Sequence, residues 1–135
     1  MFKNDLLKGK RILVTGGGTG LGKEMASHYA EHGADLYICG RREGVLKETA
    51  DQLVSDYGVN VSYESLDIRA SKDVDDYIQR IFDAGPLDGL VNNAAGNFIS
   101  PTKDLSHIFL GLSFLAAVSK LIYGILINQP KMVSI

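Results

Sequence analysis

The fold of this chain is decided by the stretch Thr15-Gly16-Gly17-Gly18-Thr19-Gly20-Leu21-Gly22. The apolar run before it, residues 11–14, predicts a buried strand, and the amphipathic run after it, residues 23–32, predicts a helix. A glycine turn between a strand and a helix forms a cradle for phosphate, because the helix N-terminus offers free N–H groups and the positive end of its dipole. These flanking elements favour a phosphate site over a flexible glycine loop.

The glycines of this stretch have separate expected roles. Gly16 permits the tight turn out of the strand, Gly20 lets the backbone approach a pyrophosphate, and Gly22 lets the helix pack near the sheet. The candidate cofactor-binding residues here are Thr15, Gly16, Gly18, Thr19, Gly20, Leu21 and Gly22.

The spacing Thr-Gly-x-x-x-Gly-x-Gly, formed by Thr15, Gly16, Gly20 and Gly22, resembles the short-chain dehydrogenase/reductase family. The resemblance implies an NAD(P)-dependent oxidoreductase with an α/β fold, a doubly wound parallel sheet of Rossmann type in three α/β/α layers. Domains of the family are usually longer than 135 residues. The resemblance therefore implies an incomplete sheet, corresponding to the family's N-terminal half.

Composition and charge are those of one globular domain. The chain is 45% apolar and 22% charged with a net charge of −2, which does not favour a nucleic acid partner. The single cysteine, Cys39, rules out a disulfide within one chain and is predicted to be a buried small apolar residue. Residues 1–10 are charged and lack the apolar core of a signal peptide, so we expect a cytoplasmic location. No metal ligands are assigned.

Two arginines follow the second predicted strand, residues 34–40. In a dinucleotide-binding fold this strand end meets the adenosine ribose, where an acidic residue would bind the 2′-hydroxyl of NAD. Arg41 and Arg42 stand there instead, and an arginine can bind the 2′-phosphate of NADP through a bidentate fork. We therefore predict NADP(H) as the cofactor, with NAD(H) less favoured; the alternative is two solvated arginines at a strand end.

The next repeat of the pattern is a helix over residues 43–57 and a strand over residues 59–68. The resemblance implies that Asp67, with Ile68 beside it, binds the adenine at the end of this strand, although an ordinary turn aspartate remains equally open. Ser71 is predicted to be the N-cap of a third helix that reaches about residue 82.

A second motif follows the fourth predicted strand, residues 86–91. Asn92-Asn93-Ala94-Ala95-Gly96 resembles the family's Asn-Asn-Ala-Gly element, which implies that Asn93, Ala94, Ala95 and Gly96 lie along the cofactor. Strands that alternate with helices predict a parallel sheet with right-handed crossovers. Residues 92–101 are similar to the 2,4-dienoyl-CoA reductase branch, which implies an unsaturated acyl-CoA substrate reduced with NADPH.

The composition changes after Ser106. Lys120 is the only charged residue in 108–127, a stretch that fits a buried helix, a membrane segment or non-native sequence. The charge disfavours the membrane, and the buried helix ranks first because residues 110–114 and 131–135 resemble the family's next helix and fifth strand. We therefore divide the chain into an NADP-binding half, 1–106, and an atypical or truncated end, 107–135.

Catalytic residues are not assigned. The resemblance implies a serine after the fifth strand and Tyr-x-x-x-Lys on the next helix. Tyr77 and Tyr123 are each followed four positions later by isoleucine, and Ser134 lacks such partners. We expect the 135-residue chain alone to be inactive in hydride transfer. The alternatives are an inactive nucleotide-binding or interaction remnant and a small membrane-anchored protein. The chain could also form a homo-oligomer.

Overall fold

The computed structural model describes residues 4–94, which alternate strands and helices as the sequence predicts. The predictions for residues 95–135, including Ala95, Gly96, the apolar stretch 108–127, Tyr123 and Ser134, lie outside the described residues. The elements are β1 (Arg11–Thr15), α1 (Gly20–Glu31), β2 (Asp35–Gly40), α2 (Glu43–Tyr57), β3 (Val61–Ser65), α3 (Ser71–Asp83) and β4 (Gly89–Asn92).

The four strands form one parallel sheet in the order β3-β2-β1-β4. This order and the alternation with helices are those of a Rossmann-type fold, so the predicted fold class is confirmed. The chain divides into two compact units. The sheet, α1 and α2 lie in the unit formed by residues 4–67 and 87–94, and α3 lies in the other, with residues 68–86.

One face of the sheet packs against α1 and α2. Alternate residues of β1 and β2 point to this face, because successive side chains of a strand point to opposite sides. The small residues of α1 allow its close approach, and α2 contributes larger side chains. The buried residues of this core are Ile12, Val14, Leu36 and Ile38 from the strands, Ala26 and Ala30 from α1, Leu46, Ala50 and Leu53 from α2, and Ala34.

The predicted bounds of β3 and β4 were too wide. β3 spans Val61–Ser65 rather than 59–68, because its partner β2 ends at Gly40, which pairs with Ser65. β4 begins at Gly89 rather than at Pro86. Proline has no N–H to donate to a neighbouring strand.

The predicted N-cap of α3 was also wrong. Ala70 holds this position with non-helical backbone angles, φ −84° and ψ 88°, and its carbonyl oxygen accepts the first hydrogen bond, from Val74 N–H at 3.0 Å. Ser71 is therefore already the first helical residue. Within residues 4–94, none of the helices has the length and apolar character needed to cross a membrane.

Candidate functional site

The glycine turn lies at the point where the strand order changes direction. β1 has β2 on one side and β4 on the other, and all four strands end at the same edge of the sheet. In open α/β sheets, ligands bind in the crevice outside the carboxyl ends of the strands at this point. The turn between β1 and α1 and the segment after β4 both begin there.

The turn holds a conformation that favours glycine, for different reasons at Gly16 and at Gly22. Gly16 has φ +67°, and its N–H donates a hydrogen bond of 2.8 Å to the carbonyl oxygen of Cys39 in β2. At Gly22 a Cβ would lie 2.1 Å from the carbonyl oxygen of Gly16 and 2.6 Å from Asn93 Nδ2. The first turn of α1 therefore packs directly on the backbone that leaves β1, which a side chain at position 22 would prevent.

Gly20, in contrast, faces open space. It has φ +55°, and apart from its two chain neighbours and the backbone of its own helix, no atom of the described residues lies within 4 Å of a Cβ built on it. The adjacent Thr19 and Leu21 are exposed, with Leu21 68% exposed although it is apolar. The backbone can therefore be approached closely by a ligand at Gly20, as a pyrophosphate site requires.

Among the described residues, the N-terminus of α1 has features that favour an anion. Its first turn contains no acidic residue, and the side chain of the N-cap residue Thr19 makes no capping hydrogen bond. The first N–H groups of a helix have no acceptor within the helix, and together with the dipole they favour negative charge. These groups and the open space at Gly20 fit a phosphate.

The hydroxyl of Thr15 joins this turn to the segment after β4. Its oxygen accepts hydrogen bonds of 3.0 Å from the backbone N–H groups of Asn93 and Ala94. It also lies 3.4 Å from Val91 O and from Asn92 Oδ1, either of which can accept its proton. Thr15 is only 9% exposed, so its side chain fixes the two turns relative to each other from beneath the crevice.

Asn93 adds a second link between the same two turns. Its Nδ2 donates to the carbonyl oxygen of Gly16 at 3.4 Å. Asn93 and Ala94 are half-buried. The structure thus brings Thr15, Gly16, Gly22, Asn93 and Ala94 together, whereas Ala95 and Gly96 lie outside the described residues.

α2 supports the glycine turn through two residues that the sequence analysis did not single out. The hydroxyl of Thr49 donates to the carbonyl oxygen of Gly18 at 2.9 Å in a buried setting, and Leu46 packs against Gly18. The available signal was the position of Thr49 on the apolar stripe of α2, three residues after Leu46 and four before Leu53. A buried hydroxyl on such a stripe needs a partner, and here the partner is the turn.

Arg41 and Arg42 lie at the same edge of the sheet, beyond β2. Both are exposed, and Arg42 occupies the N-cap position of α2. The backbone of Arg41 is held by Ser65 Oγ, which donates to its carbonyl oxygen at 3.2 Å. Within residues 4–94 neither guanidinium group forms an ion pair, so both can bind an anionic ligand.

Asp67 follows β3 at this edge as well. The N–H of Leu66 donates to the carbonyl oxygen of Gly40 at 2.6 Å, which keeps the chain beside the end of β2. Asp67 is half-buried, two residues beyond β3. Ile68, the next candidate, begins the second unit of the chain.

Cys39 is a buried apolar residue, as predicted. It is 1% exposed, and burial raises the pKa of its thiol from 9.0 to about 12. Because the thiolate is the reactive form, Cys39 is inert at neutral pH. Tyr77, which the sequence analysis rejected as a catalytic tyrosine, lies buried in α3 of the second unit.

The family model of the short chain dehydrogenases matches residues 10–108. A peroxisomal 2,4-dienoyl-CoA reductase of Arabidopsis thaliana is 41% identical over 106 residues, covering 78% of this chain and 35% of that protein. L-Sorbose reductase from Gluconobacter frateurii, solved with NADPH and L-sorbose, superposes with a TM-score of 0.81 at 25% identity, covering 93% of this chain and 49% of that one.

A short chain dehydrogenase from Escherichia coli CFT073, solved with NADPH, has a TM-score of 0.80 at 27% identity over 95% of this chain and 57% of its own. The chain thus spans about a third of the length of the first relatives and about half of these structures. The match of the family model covers most of the chain and includes both turns of the crevice. On these grounds, the chain belongs to the short chain dehydrogenase family.

Proposed function

We infer that this chain is the NADP-binding part of an oxidoreductase. The observation that carries the proposal is the open space at Gly20 beside a helix N-terminus without acidic residues, at the switch point of a parallel sheet. The two similar structures that were solved with NADPH support the choice of cofactor.

The pyrophosphate would lie across the glycine turn. The first N–H groups of α1 would donate hydrogen bonds to the pyrophosphate oxygens. The residues proposed to contact the pyrophosphate are Gly18, Thr19, Gly20 and Leu21. Gly16 and Gly22 allow the close packing that shapes the turn, and Thr15 acts from below through its bonds to Asn93 and Ala94. Thr15 is therefore proposed to position the backbone rather than to contact phosphate.

The 2′-phosphate would lie at the end of β2. Arg41 and Arg42 are exposed there and are not engaged in ion pairs with other residues of 4–94. A guanidinium forms strong, charge-assisted hydrogen bonds with a phosphate. NAD lacks this phosphate, so the same arginines favour NADP(H) over NAD(H).

The adenine and the remainder of the cofactor would lie along the rest of this edge. Asp67, with Ile68, is proposed at the adenine, and Asn93, Ala94, Ala95 and Gly96 are proposed along the adenosine side. Asp67 follows the end of β3, where the chain lies beside Gly40, the residue before Arg41. This position would place Asp67 within the same adenosine site. We keep the division into an NADP-binding half, 1–106, and an atypical end, 107–135.

The substrate class proposed is an unsaturated acyl-CoA. The relatives named as 2,4-dienoyl-CoA reductases, from Arabidopsis thaliana and Bacillus subtilis, support it. When bound, NADPH would supply the hydride, and the residues of this chain would hold and orient it. We assign no catalytic residue, and a cytoplasmic location and a homo-oligomer remain predictions.

Hydrogen–deuterium exchange of the full chain, with and without NADPH, tests the proposed site. NADPH should slow exchange in the peptides that cover residues 15–22, 40–42 and 89–94. Peptides from the second half of α2, residues 50–57, serve as the internal control and should not change. Protection that is absent, or that appears only in the control peptides, contradicts the proposal. Substrate-dependent NADPH consumption with a dienoyl-CoA tests the substrate class separately.

A further inference from the structure

α2 contacts both segments to which the proposed function assigns phosphate. Thr49 is 2% exposed, and its hydroxyl donates to the carbonyl oxygen of Gly18 at 2.9 Å. Leu46, one turn earlier and also 2% exposed, lies 3.1 Å from the position of a Cβ on Gly18 and 3.6 Å from that of a Cβ on Gly40. One face of α2 therefore touches the glycine turn and the residue before Arg41.

The bond from Thr49 is an unusual use of a helical threonine. A threonine within a helix commonly turns its hydroxyl to a carbonyl three or four residues earlier in the same helix. The acceptor here lies 31 residues away in another element. The carbonyl oxygen of Gly18 is buried with it, so the turn depends on this hydroxyl to satisfy an acceptor that the fold removes from water.

We propose that Thr49 is a positioning residue for the cofactor, which holds the glycine turn in its phosphate-binding conformation through the Gly18 carbonyl. The proposal rests on the function inferred above. Because a peptide unit is planar, fixing the Gly18 carbonyl also fixes the direction of the Thr19 N–H, at the start of the cradle. Leu46 supports the same turn by packing against Gly18, where it would contact a Cβ at position 18.

Removal of the hydroxyl should loosen the turn without removing any group that touches phosphate. A valine at position 49 has nearly the same shape but leaves the Gly18 carbonyl oxygen without its donor. Conformations of the turn in which this oxygen bonds to water then become more favourable. The cofactor would then bind only the fraction of molecules with the original turn, which raises the apparent Kd by the inverse of that fraction. A serine keeps the hydroxyl and should restore most of the affinity.

The test compares Thr49→Val, Thr49→Ser and Leu53→Val in the full chain. Leu53 is the matched control, because it is equally buried on the same face of α2, one turn further from the glycine turn. Titration with NADPH and with NADH gives two affinities for each variant, and hydrogen exchange of residues 15–22 without cofactor reports on the turn itself.

We expect Thr49→Val to raise the Kd of both cofactors by about three- to tenfold, and to accelerate exchange in the turn. The ratio of the two affinities should not change, because the arginines are untouched. Thr49→Ser should stay within about twofold of the parent, and Leu53→Val should lower the Tm without changing either Kd. A role of Thr49 in stability alone would make Thr49→Val behave like Leu53→Val.

Two outcomes separate this proposal from the function on which it rests. If the parent chain binds NADPH and Thr49→Val binds it equally well, the positioning role is wrong and the proposed function stands. If the parent binds no dinucleotide, the proposed function is wrong. In that case, unchanged exchange of the turn in Thr49→Val also overturns the role of Thr49.

Discussion

The hydroxyl oxygen of Thr15 accepts a hydrogen bond of 3.0 Å from the backbone N–H of Asn93, 78 residues away along the chain. It ties the turn after β1 to the segment after β4, on either side of the crevice at the switch point. A second bond to the same oxygen comes from the N–H of Ala94. Thr15, the last residue of β1, thus holds together two segments that are far apart in sequence.

Replacement of Thr15 by valine should destabilise the fold. The shape of the side chain is kept, but the N–H groups of Asn93 and Ala94 lose their acceptor. We expect the free energy of unfolding, measured by urea titration, to fall by about 1–3 kcal/mol. Thr15→Ser keeps the oxygen and should lose less; a smaller loss in Thr15→Val than in Thr15→Ser would show that the methyl group matters rather than the hydroxyl.

The close packing at Gly22 predicts a steric effect. Alanine there places a Cβ 2.1 Å from the carbonyl oxygen of Gly16, which is backbone and cannot yield as a flexible side chain would. We expect Gly22→Ala to cost about 1–3 kcal/mol or more in unfolding free energy and to weaken cofactor binding. Gly44→Ala is the control: a Cβ there meets no atom of the described residues outside its chain neighbours and its own helix, so the substitution should stabilise the chain by about 0.5–1 kcal/mol.

Gly20 should separate binding from folding. Alanine there meets no atom of residues 4–94 other than its chain neighbours and the backbone of its own helix, and its cost to folding is the strain of φ +55°, about 1–2 kcal/mol. Its methyl group enters the space proposed for pyrophosphate, so we expect the Kd of NADPH to rise at least about tenfold. Gly58→Ala carries the same kind of strain, at φ +68° with open surroundings, outside the site. The proposed cradle is wrong if both variants bind equally well.

Cys39 should make the chain sensitive to alkaline pH. Burial raises the pKa of its thiol from 9.0 to about 12, so between these values the folded chain keeps a proton that the unfolded chain releases. Stability is therefore lost as pH rises through this window, by up to about 1.4 kcal/mol per pH unit from this group. Cys39→Ala should show a shallower decline of Tm above pH 9. Parallel curves for the two proteins would contradict a buried, protonated thiol.

The local signals in the sequence were sufficient for the fold. The glycine turn and the apolar runs around it predicted the strand–turn–helix unit, because these features depend on neighbours in the chain. The bounds of β3 depend on where its partner β2 ends, at Gly40, which is not visible in the residues of β3. The predicted bound therefore extended to residue 68.

The supporting contacts of the site could not be predicted in the same way. Nothing in the sequence around Thr49 indicates its partner, Gly18, which lies 31 residues earlier. The hydroxyl of Thr15 belongs to a recognised motif, but its bonds to Asn93 and Ala94 exist only once β4 pairs with β1. Contacts of this kind follow from the sheet register rather than from local pattern.

The most direct test of the account is a calorimetric titration of the full chain with NADPH and with NADH at matched ionic strength. We predict that NADPH binds about tenfold more tightly or better, because Arg41 and Arg42 are proposed to bind the 2′-phosphate through charge-assisted hydrogen bonds. Arg41→Asp and Arg42→Asp, made separately, should identify the arginine whose loss removes this preference. Equal affinities for the two cofactors, or tighter binding of NADH, would contradict the account.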